Sequence, residues 1–325
     1  MLGFGAVHAE ELTPARLGVI FNVDDEGSAR VARRYAARHL IPSDNVIGVH
    51  LPPVAAMLPE AFAPVRKRAL EQLPSVVQSL VLVWSKPYAV GCMSITSAFA
   101  IGYSAAYCPT ECSRTPASPL FDSSGWLPAD TVGWWPAMLL PSDDIALAEA
   151  LIGRAIAADA GVKGGTLYLM HTPDAARNVR AATYGDTQIV LANRVKISEL
   201  TAPAPREIPD AIGYFTGAAH VEELPRIHFL PGALADHLTS TGGVLQGGDQ
   251  MSALSWIKQG ATATYGSVSE PCSFLEKFPS IRVLYEHYTR GETALESYWK
   301  SVAMPGQGLF IGDPLSRPFP AIPGR

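Results

Sequence analysis

The chain has 325 residues, 48% of them hydrophobic and 17% charged, with a formal net charge of -5. That length and apolar share suit one large α/β domain or two small ones and exclude a chain without a core. The acidic balance and scattered basic residues exclude the basic stripe of a nucleic-acid binder, and no run reaches the ~18 uninterrupted apolar residues of a membrane span.

In chain order, residues 1–9 (MLGFGAVHA) read as the remnant of a signal peptide, because a short apolar run ends in Val7-x-Ala9, a small-residue pattern suited to signal peptidase. The alternative is an ordinary frayed terminus. On the first reading the mature, exported chain begins near Glu10, and residues 10–325 form a single α/β domain with an irregular insertion at about 86–141. Residues 17–23 (LGVIFNV) predict a strand, and residues 29–39 a helix with Ser28 as its N-cap. Arg30, Arg33, Arg34 and Arg38 then occupy a solvated face of that helix. Pro42 stops it. Strands follow at 46–51 and 79–84 around a helix at 60–72. This strand–helix–strand spacing predicts a mainly parallel sheet with helices on both faces.

Residues 86–141 break the alternation. The stretch is rich in Ser, Thr, Pro, Gly and aromatics and holds Cys92, Cys108 and Cys112, three of the four cysteines. An insertion of that length is functional or tied by cross-links. A disulfide among these three is favoured over half a zinc site, leaving one of them, or Cys272, unpaired. Trp126, Trp134 and Trp135 either line a groove or cover the sheet edge. The alternation resumes with helices at 143–158 and 174–184 and strands at 165–170, 188–191 and 211–216. His220 falls just past the last of these, at the edge where open α/β sheets bind ligands. Short strands are expected at 229–230 and 261–268, helices near 282–289 and 293–302, and a final strand at 308–311.

Residues 231–278 concentrate the reactive side chains: Asp236-His237, Thr239-Ser240-Thr241-Gly242-Gly243 and Glu270-Pro271-Cys272. A thiol nucleophile needs a base in hydrogen-bond reach and a group that orients the base. Cys272 with His237, oriented by Asp236 or Glu270, meets that requirement on paper. A serine version uses Ser240 with His220 or His237, and the Gly242 and Gly243 amides as an oxyanion site. The competing readings are a cross-linked or buried Cys272 and a structural His237. Asp236, His237, His220 and Cys272 are also competent metal ligands, but without a tight two-His spacing. The glycines at 242–243 and 247–248 lack the Lys-Ser/Thr ending of a phosphate loop, and no cofactor is expected.

Several phrases resemble an uncharacterised family of exported bacterial proteins found mainly in species that carry exosortase sorting systems. They include Ile41-Pro42-x-x-Asn45-Val46, Arg177-Asn178-x-Arg180, Asp236-His237-Leu238-Thr239-Ser240, Gly266-x-Val268-x-Glu270-Pro271-Cys272 and Gly306-Gln307-Gly308-Leu309-Phe310-x-Gly312-Asp313-Pro314-Leu315. The likeness spans most of the chain, is weakest over 92–135, and carries no established activity. More distantly, the order strand, histidine, strand, small-residue turn is similar to that of gingipain and caspase-like cysteine peptidases. His220 falls near their histidine, and the 236–243 turn near their cysteine, where this sequence has none. Two functions follow as expectations. One is an exported hydrolase of caspase-like fold acting on peptide or acyl substrates. The other is a non-catalytic binding or assembly protein whose partner is a peptide or an envelope or matrix component.

Overall fold

The computed structural model describes residues 11–321 apart from 110, 163 and 204–206. The expected signal remnant at 1–9 lies outside the described residues. In chain order the elements are β1 (Leu17–Asn22), α1 (Glu26–His39), β2 (Val46–Val49), β3 (Ala56–Met57), α2 (Pro59–Gln72), β4 (Ser79–Val83), β5 (Ala89–Val90), β6 (Met93–Ser94), α3 (Ile95–Ile101), α4 (Pro128–Val132), β7 (Ala137–Leu140) and α5 (Ile145–Ala158). The second half adds β8 (Thr166–His171), α6 (Tyr184–Leu191), β9 (Lys196–Thr201), β10 (Ile208–Thr216), β11 (Ile227–His237), α7 (Leu254–Gln259), β12 (Ala263–Ser267), α8 (Ile281–Tyr288), α9 (Ala294–Ser301) and β13 (Gly308–Gly312).

Among the described residues ten strands form one sheet in the order β2-β1-β4-β7-β13-β12-β11-β10-β8-β9. Four parallel strands, β2, β1, β4 and β7, flank one side of β13. Five parallel strands, from β12 to β9, flank the other. β13 runs antiparallel to β12 over five residue pairs and meets β7 through a single bridge, Ile311 to Leu139. The fold is therefore the expected α/β class with a mainly parallel sheet. Its central strands β4, β7 and β12 are buried at every position, as strands covered on both faces must be. Helix α5 packs against both α1 and α7, and α8 packs against both α9 and α6.

Four local expectations fail. Asp25, not Ser28, caps α1, accepting from the Gly27 amide; Ser28 lies inside the helix and joins the Asn22 amide to the Val83 carbonyl. Residues 174–184 form a turn and a six-residue 3-10 helix rather than an α-helix, and 188–191 belong to α6 rather than to a strand. The edge strand β9 has no strict alternation to announce it. β11 does not end at Leu230; it continues through Pro231 and Gly232 to His237. Gly232 takes φ +83°, and the register with β10 shifts along this stretch, so the strand passes the proline as an irregularity rather than stopping there.

The insertion expected to be irregular instead contains β5, β6, α3, α4 and β7, one of them a strand of the main sheet, and it is fastened twice. Cys92 pairs with Cys108, within the expected trio, and Cys112 pairs with Cys272 across 160 residues. Among the described residues no cysteine is free. Trp126 is buried, its indole donating to Ser79 Oγ at 2.9 Å, so it covers β4 while also bordering a cavity of about 370 Å3. Among the described residues no helix is long and apolar enough to cross a membrane.

Candidate functional site

β10, β11 and β12 are neighbours and parallel, so their following loops emerge at one edge of the sheet. His220 follows β10, Ser240 follows β11, and Glu270 and Cys272 follow β12. Asp236 and His237 are the last two residues of β11 itself. Successive residues of a strand face opposite sides of its sheet. Asp236 therefore cannot orient His237, and each side chain has its own surroundings.

His237 is 1% exposed and faces α7. Its Nδ1 accepts from the Trp256 indole at 2.9 Å, and its Nε2 lies 2.8 Å from the Met251 carbonyl. An indole only donates and a carbonyl only accepts, so the ring is neutral with its proton on Nε2. Burial pushes its pKa down to about 4. Both nitrogens being occupied, His237 has no lone pair to offer a nucleophile.

Asp236 faces the other side, where Arg180 reaches it from the segment after β8. Arg180 Nη2 donates to Asp236 Oδ1 at 2.5 Å and to the Thr216 carbonyl at 3.0 Å, and the guanidinium lies over the Phe215 ring. Both side chains are at most 3% exposed. Burial pushes the Asp236 carboxyl upward against the pull of Arg180. Burial also works against the Arg180 charge, but the attraction and hydrogen bond of Asp236 together outweigh it and hold the guanidinium above its ordinary value. The two shifts point to different protonation states for the pair. We take it as ionised, because arginine does not give up its proton and a neutral Asp236 would strand that charge in the interior.

Cys272 is not a thiol: its sulfur is bonded to Cys112. Glu270 accepts from the Cys272 amide at 2.6 Å, holding its own loop rather than a histidine. The glycine pair after β11 serves backbone contact. A Cβ on Gly243 would lie 2.5 Å from the Gly266 carbonyl oxygen, and the Gly243 amide already donates to the Ser267 carbonyl at 2.8 Å. That amide is spent on β12 and is not a free oxyanion donor. Among the described residues no group of three or more His, Cys, Asp and Glu could hold a metal ion, so the metal reading of Asp236, His237, His220 and Cys272 is withdrawn.

The residues that dominate the edge are ones the sequence reading passed over. A strap at 249–251 crosses the ends of β10 and β11. The Asp249 carbonyl meets His220 Nε2 at 3.1 Å, and the Met251 amide donates to the Ala219 carbonyl at 2.9 Å. Gln250 Oε1 accepts from the Thr239 hydroxyl at 2.6 Å and the Thr241 amide at 2.9 Å. Arg177, ion-paired with Asp174, donates from Nε to Thr239 Oγ1 at 3.0 Å. Beside the strap lies a cavity of about 270 Å3 whose lining includes Thr172, Asp174, Thr216, Ala219, His220 and Glu222. Arg177 and Arg180 stood in the sequence as a pair three residues apart, but nothing there tied them to Thr239 and Asp236. Trp256 and Met251 carried no signal at all.

No family model matches the chain, and no curated protein does. One similar solved structure, described as "Structure of Protease", is 12% identical, with a TM-score of 0.49 over 96% of this chain and 80% of that one. A likeness that remote carries no argument about chemistry.

Proposed function

We propose that this chain is an extracytoplasmic binding or assembly protein that keeps a peptidase-like order of strands and histidine without a peptidase's nucleophile. The observation that carries the reading is the state of His237, both of whose ring nitrogens are held inside the protein. The cross-linked sulfur of Cys272 supports it. Two disulfides among the described residues favour an oxidising compartment. The ligand is a peptide or an envelope or matrix component. Its site is the cavity beside the strap, where His220, Asp174 and Glu222 offer polar contacts among small apolar ones.

The serine alternative has His220 exposed and Ser240 in the next loop, so it supplies the test. Purified protein is treated with a fluorophosphonate probe and assayed against a mixed peptide library, beside Ser240→Ala and His220→Ala. We expect no labelling and no cleavage, with peptide retention on the immobilised protein weakened in His220→Ala. Labelling that disappears in Ser240→Ala would overturn the non-catalytic reading.

A further inference from the structure

We infer that Cys112–Cys272 is an exchangeable disulfide, opened by a dithiol partner, while Cys92–Cys108 is structural. The two bonds differ in their backbone settings. Glu111 at φ +56°, Cys272 at φ +59° and Ser273 at φ +54° all hold the left-handed conformation without being glycine, so strain sits at both ends of the second bond. Next to Cys92 the residue with positive φ is Gly91, which adopts it freely. Exposure differs at one end: Cys112 is exposed, whereas Cys272, like Cys92 and Cys108, is half-buried. A cavity of about 380 Å3 opens onto Cys112 and Cys272 and also onto Cys92, so a reductant has room to approach both bonds and the backbone strain is what separates them. Strained, exposed disulfides are the ones that exchange.

The long span of this bond does not protect it. Closing a 160-residue loop constrains the unfolded chain, but opening the bond in the folded protein leaves the sheet that joins the two segments in place. The incoming thiolate attacks the more exposed Cys112 sulfur and forms a mixed disulfide, and Cys272 leaves as the thiolate. The partner's second thiol then displaces Cys112, so the dithiol is oxidised to a disulfide and two protein thiols are formed. Carboxylates of Glu111 and Glu270 line the same cavity, which favours a neutral dithiol over an anionic one. Opening leaves the 270–273 loop held by the Glu270 contact within it, by Gln307 Nε2 donating to the Glu270 carbonyl at 2.7 Å and by the Ser273 hydroxyl donating to the Ala176 carbonyl at 3.3 Å.

The inference stands apart from the proposed function. To test it, native protein is equilibrated with graded dithiothreitol and alkylated. It is then denatured, alkylated with a second reagent and mapped by mass spectrometry. Cys112 and Cys272 should open at a dithiothreitol concentration at least tenfold below that for Cys92 and Cys108. Simultaneous opening, or Cys92–Cys108 opening first, overturns the assignment. Ser273→Gly removes one strained position and should raise the concentration that opens Cys112–Cys272 several-fold; an unchanged midpoint would remove strain as the cause.

Discussion

Replacing Arg180 with methionine takes the counter-ion from a carboxylate that has no second partner. Asp236 Oδ1 loses its donor, and Asp236 Oδ2 already lacks a hydrogen bond from the protein. The carboxylate of Arg180→Met escapes by taking up a proton. At pH 7 that costs about 1.4 kcal/mol for each pH unit above an ordinary carboxyl pKa near 4, or about 4 kcal/mol. The figure agrees with the ~3–5 kcal/mol measured for breaking buried pairs from one side. The sign of the pH dependence follows. In the variant the folded-state pKa of Asp236 lies above the unfolded value, so the deficit grows as pH rises past ~4 and shrinks as it falls. Urea unfolding at pH 7 and pH 5 should show a deficit smaller by roughly 2.7 kcal/mol at pH 5. Arg180→Met combined with Asp236→Leu should recover most of the loss, because no charge is left stranded. A deficit below about 1 kcal/mol at pH 7, or one that does not change with pH, would refute the buried ion pair as described.

His237, with its pKa pushed down to about 4, gives stability that is present above the unfolded value of ~6.5 and is lost as pH falls toward 4, up to about 3 kcal/mol. His237→Gln should flatten that part of the urea-midpoint profile, and a variant that parallels the wild type would place the slope elsewhere. Gly213 in β10 lies under the Tyr285 hydroxyl, which a Cβ there would approach to 2.1 Å. Gly213→Ala should cost about 3 kcal/mol, the upper end for overpacking, with partial relief from Tyr285→Phe in the same background. A neutral result in thermal unfolding would mean that the helix moves aside. Gln250→Ala cuts the strap's bonds to Thr239 and Thr241 and should speed amide exchange of residues 247–251 by at least tenfold, read by mass spectrometry; unchanged exchange would show that the bonds to His220, His237 and the Ala219 carbonyl suffice to hold it.

The apolar runs made most of the sheet legible, since strands such as 79–83 and 308–312 are buried on both faces and read as unbroken hydrophobic stretches. β9 was not legible: its residues KISELT lie at the sheet's edge and none is buried, so they lack the pattern that burial imposes. The site was harder for a geometric reason. Asp236 and His237 are adjacent in sequence and look like a catalytic couple, yet a strand that runs on past Pro231 to residue 237 sends them to opposite faces. A proline followed by a glycine ordinarily breaks a strand, and here the strand runs through both. The pairing of Cys112 with Cys272 depends on two loops 160 residues apart meeting in space, which spacing alone cannot reveal.

β13 is the last of the sheet's ten described strands in chain order, yet it stands in the middle of the sheet, between β7 and β12. A chain that emerges from its amino end, on the ribosome or through a translocation pore, therefore makes two incomplete half-sheets first. The inner edges of both, β7 and β12, expose unpaired amides and carbonyls until residues 308–312 arrive to join them. Those edges are buried on both faces in the finished fold and are the sort that pair with other chains when left open. The closing strand thus acts as a proof of completeness: a chain cut short before residue 308 keeps most of its core residues but lacks the strand that pairs with both half-sheets, leaving Cys112–Cys272 and helix packing such as α5 on β11 to link them.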